Sequence, residues 1–159
     1  DTCGVHNFLY CFSPDINFTS AEEYLRCYPG DEYVDIVAMD NYWLYRFEEK
    51  NLDHAHLRLK VISDYAKSVG KIAALSETGQ GAIDDPEWFT GRLLKSIYGY
   101  PNEPVELAYV AVGRNSTLGF FTPYEGHPAT ADFLRFLNDE RVVTAWPYDW
   151  LGMYYHLTD

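Results

Sequence analysis

Short apolar runs alternate with helical stripes along this chain, and that alternation restricts the fold more than any other feature. Residues 5–12 (VHNFLYCF) are aromatic and β-favouring until Ser13-Pro14-Asp15 breaks the run, which predicts a first strand. Ser20-Ala21-Glu22-Glu23 has the form of a capping box, opening a short helix through Arg26 that Pro29-Gly30 stops. Residues 34–39 (VDIVAM) form a second strand ending on Asp40-Asn41-Tyr42-Trp43. Over residues 51–69, Leu52, Ala55, Leu59, Ile62, Ala66 and Val69 recur at steps of three and four, one buried helical stripe that Gly70 closes. Residues 72–75 (IAAL) have the pattern of a strand buried on both faces, and they run into Ser76-Glu77-Thr78-Gly79. Asp85-Pro86 supply an N-cap and a first-turn proline for a helix ending at Gly99, with Phe89, Leu93, Leu94 and Ile97 facing inward. Residues 107–112 (LAYVAV) make a fourth strand ending on Gly113-Arg114-Asn115. Thr130 opens a last helix carrying Phe133, Phe136 and Leu137, and the aromatic tail to Asp159 is expected to pack back on the body.

Four strand–helix units in strict alternation imply a parallel sheet with right-handed crossovers. No linker or low-complexity stretch divides the 159 residues, so one domain is expected. Size then becomes informative. A closed (β/α)8 barrel usually needs about 250 residues. Four units make either an open doubly wound sheet or half a barrel with two edges bare. The chain starts at Asp1 without Met, as a processed chain or a fragment would.

Charge narrows the partners. With 12 Lys and Arg against 24 Asp and Glu, the net charge of −12 opposes binding to duplex nucleic acid or an anionic membrane. Neutral polysaccharides meet no such penalty. No run approaches the roughly 18 apolar residues of a membrane span, and no signal-peptide pattern opens the chain. Cys3, Cys11 and Cys27 are an odd set without CxxC spacing, so neither a disulfide framework nor a zinc site is indicated and buried thiols are expected.

Glu77 is the first candidate for chemistry. Parallel α/β sheets and barrels build their sites at the carboxyl ends of their strands, where this carboxylate sits. His54 and His56 lie two apart on the predicted helix, face different directions and cannot share a metal; solvated histidines are expected, and His127 between Gly and Pro reads as a loop anchor. Asn17-Phe18-Thr19 and Asn115-Ser116-Thr117 satisfy the glycosylation triplet, a pattern frequent by chance. The chain holds no P-loop, GxGxxG or GxSxG, which leaves nucleotide and serine-hydrolase chemistry without a motif.

Four strand-end segments, in order, carry a resemblance: residues 5–15, residues 28–42 (YPGDEYVDIVAMDNY), Ala74-Leu75-Ser76-Glu77-Thr78-Gly79, and residues 108–115 (AYVAVGRN), with Gly126-His127-Pro128 after them. The chain resembles the carboxyl-terminal half of a glycoside hydrolase family 26 β-mannanase. That resemblance implies a (β/α)8 TIM barrel of which these are strands five to eight. It implies that Glu77 matches the nucleophile at the end of strand seven and that Tyr42 matches a tyrosine bonded near it. Arg114 and Asn115 match polar groups at the sugar-binding end of strand eight, and Asn41 and Trp43 complete the substrate-binding set, with Asp40 and Asn41 also orienting their loop.

The implied reaction is retaining endo-hydrolysis of β-1,4-mannosidic bonds, without metal or cofactor, by a secreted, periplasmic or cell-surface protein. A retaining glycosidase needs two carboxyl groups, one attacking the anomeric carbon and one protonating the leaving oxygen. The nucleophile must stay ionised, a state that Tyr42 and Arg114 are expected to favour. The family's acid/base Glu, at the end of strand four, has no counterpart here, so an N-terminal barrel half, on the same polypeptide or a nicked partner, is expected to supply it. Alone, this chain is expected to be inactive. Gly113 stands where the family usually has Trp before the strand-eight Arg. The alternative reading is a non-catalytic carbohydrate-binding remnant of such a barrel.

Overall fold

In the computed structural model, which describes residues 4, 7–42, 49–116 and 119–144, all four expected strands join one parallel sheet in sequence order. The strands are β1 (Cys11–Phe12), β2 (Ile36–Asn41), β3 (Ile72–Thr78) and β4 (Tyr109–Val112), each paired in parallel with the next. Between them lie α1 (Ala21–Leu25), α2 (Glu49–Ser68) and wide π-type turns over Trp88–Leu94 that run into α3 (Lys95–Tyr98); α4 (Thr130–Leu137) follows β4. An open doubly wound sheet reverses its strand order at a switch point and carries helices on both faces. Here the order never reverses. Val37, Met39, Ala73 and Leu75 pack into the helix-covered core, whereas Ile36, Ala38 and Ala74 form a separate cluster on the other face. That is the organisation of a partial (β/α)8 barrel, with helices outside and a barrel interior left bare.

Curvature follows. Cys11 on β1 and Tyr109 on β4 belong to the two outer strands, yet their side chains interact across the concave face. Cys11 and Cys27 are free and exposed, which corrects the expectation of buried thiols. Cys11 is exposed because it lies on the uncovered face of an edge strand, Cys27 because it follows the last turn of α1.

The helix stripe is where expected. Leu52, Ala55, Leu59, Ile62 and Ala66 are all buried, and α2 lies across β2 and β3. Gly70 takes φ +68°, a left-handed cap, while the Lys71 N–H returns to the Ala66 carbonyl at 2.8 Å. Ser20 caps α1 by accepting the Glu23 N–H. The Glu23 carboxylate reaches back one residue further than a capping box requires, to the Thr19 N–H at 2.7 Å.

Three elements differ from expectation. The first strand is two residues long, and Phe8, Leu9 and Tyr10 before it are exposed. Residues 86–99 are not one regular helix. The wide turns hold two adjacent bulky rings, Trp88 and Phe89, both fully buried and meeting edge to face at 4.9 Å. His56 is buried rather than solvated: its Nδ1 lies 2.9 Å from the Ser96 carbonyl and its ring stacks on Tyr100. His54 is exposed. The tail beyond residue 144 and Trp43 lie outside the described residues.

Candidate active site

A bulge aims the key carboxylate. Up to Leu75, β3 alternates simply: Ala73 and Leu75 face the helices, and Ala74 faces the barrel interior. Continued alternation would turn residue 77 toward the helices as well. Instead the pairing with β2 jumps from Met39↔Leu75 to Asp40↔Glu77, so one extra residue, Ser76, is inserted. Glu77 then shares the face of Asp40, which is the concave one, since Asp40 Oδ1 accepts hydrogen bonds from Ser13 at 2.7 Å and Ser76 at 3.2 Å. Those hydroxyls come from the residue after β1 and from β3 and meet one another, forming a polar layer that closes the apolar interior just beneath Glu77.

The Tyr42 hydroxyl donates to Glu77 Oε2 at 3.2 Å. Burial, followed by the nearby Glu77 charge, pushes the Tyr42 phenol above its ordinary pKa, so it remains a donor throughout neutral and mildly alkaline conditions. The Tyr42 ring also packs on Phe121, 5.7 Å between centroids.

Phe121 belongs to a loop whose shape Asn115 sets. Asn115 Oδ1 accepts the N–H groups of Phe121 (2.8 Å) and Thr122 (3.0 Å), and its Nδ2 donates to the Thr122 carbonyl at 3.0 Å. A short backbone bridge joins Ser116 and Gly119. The neighbouring Phe120 carbonyl accepts from Ala82, which follows β3 and holds φ +63°, an uncommon value for a residue with a side chain. His127 sits beside it: its Nδ1 accepts the Ala129 N–H, and its ring contacts Phe120 and Tyr124, a loop anchor as expected.

The expected site residues therefore separate. Glu77 and Tyr42 come together. Arg114 stands exposed after Gly113, and among the described residues no ion pair joins it to Glu77, so Tyr42 alone supports the carboxylate here. Asn115 is exposed, with its amide committed to the loop backbone. Asn41 is fully buried on the helix-facing side, since Asp40 takes the concave side; its carbonyl accepts the Thr78 hydroxyl at 2.8 Å. Sequence reasoning missed Phe121, whose role depends on a loop closing on itself, and missed Ser13 and Ser76. Among the described residues no group of three His, Cys, Asp or Glu side chains could hold a metal ion.

The architecture is a partial (β/α)8 barrel whose concave rim carries a carboxylate on a bulged strand end with a tyrosine hydroxyl bonded to it. The comparisons with known proteins make this specific. The profile of Glycosyl hydrolase family 26 matches residues 1–102, and the chain belongs to that family. A mannan endo-1,4-beta-mannosidase of Bifidobacterium adolescentis is 27% identical over 91% of this chain and 16% of its own length. Among solved structures, GH26C from Muricauda sp. MAR_2010_75 superposes with a TM-score of 0.84 at 34% identity, over 93% of this chain and 40% of that one. A GH26 beta-mannanase from Bacteroides ovatus gives 0.77 at 33% identity, over 88% and 40%. This chain thus spans less than half the length of these relatives. The matched segment holds β1 to β3, Tyr42 and Glu77, and stops before β4 and the loop after it.

Proposed function

We propose that this chain is the nucleophile-bearing half of a retaining endo-β-1,4-mannanase that cleaves mannan polysaccharide. The observation that carries the reading is Glu77 on the concave face at the carboxyl end of β3, hydrogen-bonded by Tyr42. In the first step a Glu77 carboxylate oxygen attacks the anomeric carbon. The glycosidic C–O bond breaks, and the leaving oxygen takes a proton from a second carboxyl group. Water, deprotonated by that same group, then attacks the anomeric carbon and releases Glu77. Tyr42 fixes which carboxylate oxygen is free to attack, because its bond goes to Oε2. Arg114, exposed at the end of β4, reaches for sugar hydroxyls, and Trp43, next to Tyr42 in sequence, is a further candidate for sugar binding.

The acid/base carboxyl comes from an N-terminal barrel half, which also covers the bare concave face and the β1 and β4 edges. A polymeric substrate places the protein outside the cytoplasm, secreted, periplasmic or on the cell surface. The Mannan endo-1,4-beta-mannosidase relative and the GH26 beta-mannanase structure support mannan as the substrate. In the intact protein, Glu77→Ala is expected to abolish release of manno-oligosaccharides from mannan while leaving binding in place. Undiminished turnover would overturn the assignment. A wild type that binds mannan without cleaving it would favour the carbohydrate-binding alternative.

A further inference from the structure

We propose that Phe121, carried on the loop after β4, is the aromatic surface on which a sugar ring rests beside Glu77, and that Gly113 is a glycine in order to admit it. The proposal rests on the glycosidase reading and adds a residue to it. Three observations converge on this ring.

First, a Cβ built on Gly113 would lie 2.9 Å from both Cγ and Cδ2 of Phe121, and one on Gly79 would lie 2.6 Å from Cδ1. The same ring therefore covers the α-carbons that end β3 and β4, two adjacent strands whose ends form the rim of the site. No side chain fits at either position while the ring is there. Second, the ring packs on Tyr42, whose hydroxyl reaches Glu77, so ring and carboxylate share one small neighbourhood. Third, the ring is positioned by backbone bonds: both the Phe121 and Thr122 N–H groups are held by Asn115. Phe121 is nonetheless partly exposed, so part of an apolar side chain meets water.

An aromatic face in such a place suits the apolar C–H face of a pyranose. It supplies contact area without competing for the hydroxyls and without ordering a flexible side chain. A bulky side chain at the end of β4 and a ring at position 121 exclude one another sterically, so the platform moves from the strand to the loop.

The test uses the intact protein and measures KM, and Kd in a Glu77→Gln background, for mannotetraose, cellotetraose and xylotetraose. Phe121→Leu keeps apolar volume on the glycines but removes the flat face. It is expected to weaken the preferred sugar about tenfold with thermal stability close to wild type, whereas Phe121→Tyr keeps wild-type affinity. Gly113→Trp alone weakens binding by forcing the ring out; adding Phe121→Ala to it restores binding. Leu and Phe behaving alike would overturn the proposal, assigning the ring to packing only. If the wild type prefers a glycan other than mannan, the substrate reading fails while the Phe121 comparison still decides this one. A wild type that binds none of the three overturns both.

Discussion

Replacing Tyr42 by Phe removes one hydroxyl and nothing else, which makes its consequence calculable. The ring contact with Phe121 at 5.7 Å survives, so the fold should lose little. What disappears is the bond to Glu77 Oε2. A hydrogen bond to a charged group contributes about 1.5–3 kcal/mol net. This one, at 3.2 Å, is longer than the usual O–H···O bond, which places it at the low end of that range. A loss near 1.4 kcal/mol corresponds to about tenfold. Because the bond orients the attacking group, the loss should fall on kcat and leave KM nearly unchanged. Initial rates on mannotetraose with the intact protein give both parameters, and a melting curve checks the fold. A kcat within twofold of wild type would refute the reasoning, as would a drop in stability large enough to explain the slower rate.

Two further outcomes concern stability. Asp132, at 1% exposure, accepts bonds from the Thr90 N–H and hydroxyl and from Arg135, joining α4 to the wide turns. Asp132→Ala leaves the Thr90 groups without that acceptor and should cost about 2–3 kcal/mol, read from the urea midpoint; a change under 0.5 kcal/mol would contradict it. Tyr28 and Tyr65 both donate to Asp31 Oδ1 at 3.0 Å, and burial together with the Asp31 charge raises both phenols above their ordinary value. Groups raised in the folded state contribute stability that is complete below about pH 10 and is lost as pH rises through the folded values. The melting temperature should therefore fall above about pH 10. The Tyr28→Phe, Tyr65→Phe pair should flatten that fall, and an unaltered slope would contradict the coupling.

The elements that could be read from sequence are those whose signal is local. The α2 stripe from Leu52 to Ala66 and the Ser20 cap need only spacing and residue type, and both are realised as written. Hydrophobic runs located β2, β3 and β4, though their ends moved by a few residues. The direction of Glu77 was not legible in the same way. Its position at a strand end follows from the apolar run, but its turn toward the concave face depends on a bulge set by register with β2. The burial of Asn41 was hidden for the related reason that a neighbour's face, not its own polarity, decides its own. Phe121 left no periodic trace. Its ring reaches Gly79, which lies 42 positions earlier, only because Asn115 folds the loop back. Side chains that act through loop closure are invisible to spacing rules, whereas those fixed by strand ends are not.

The most direct measurement is to trap the reaction at its midpoint. A 2-deoxy-2-fluoro mannoside with a good leaving group slows both steps but the second more, so a glycosyl-enzyme ester should accumulate in the intact protein. Peptide mapping by mass spectrometry should find that ester on Glu77. A label on any other carboxylate, or turnover of mannan with no ester on Glu77, would contradict the account.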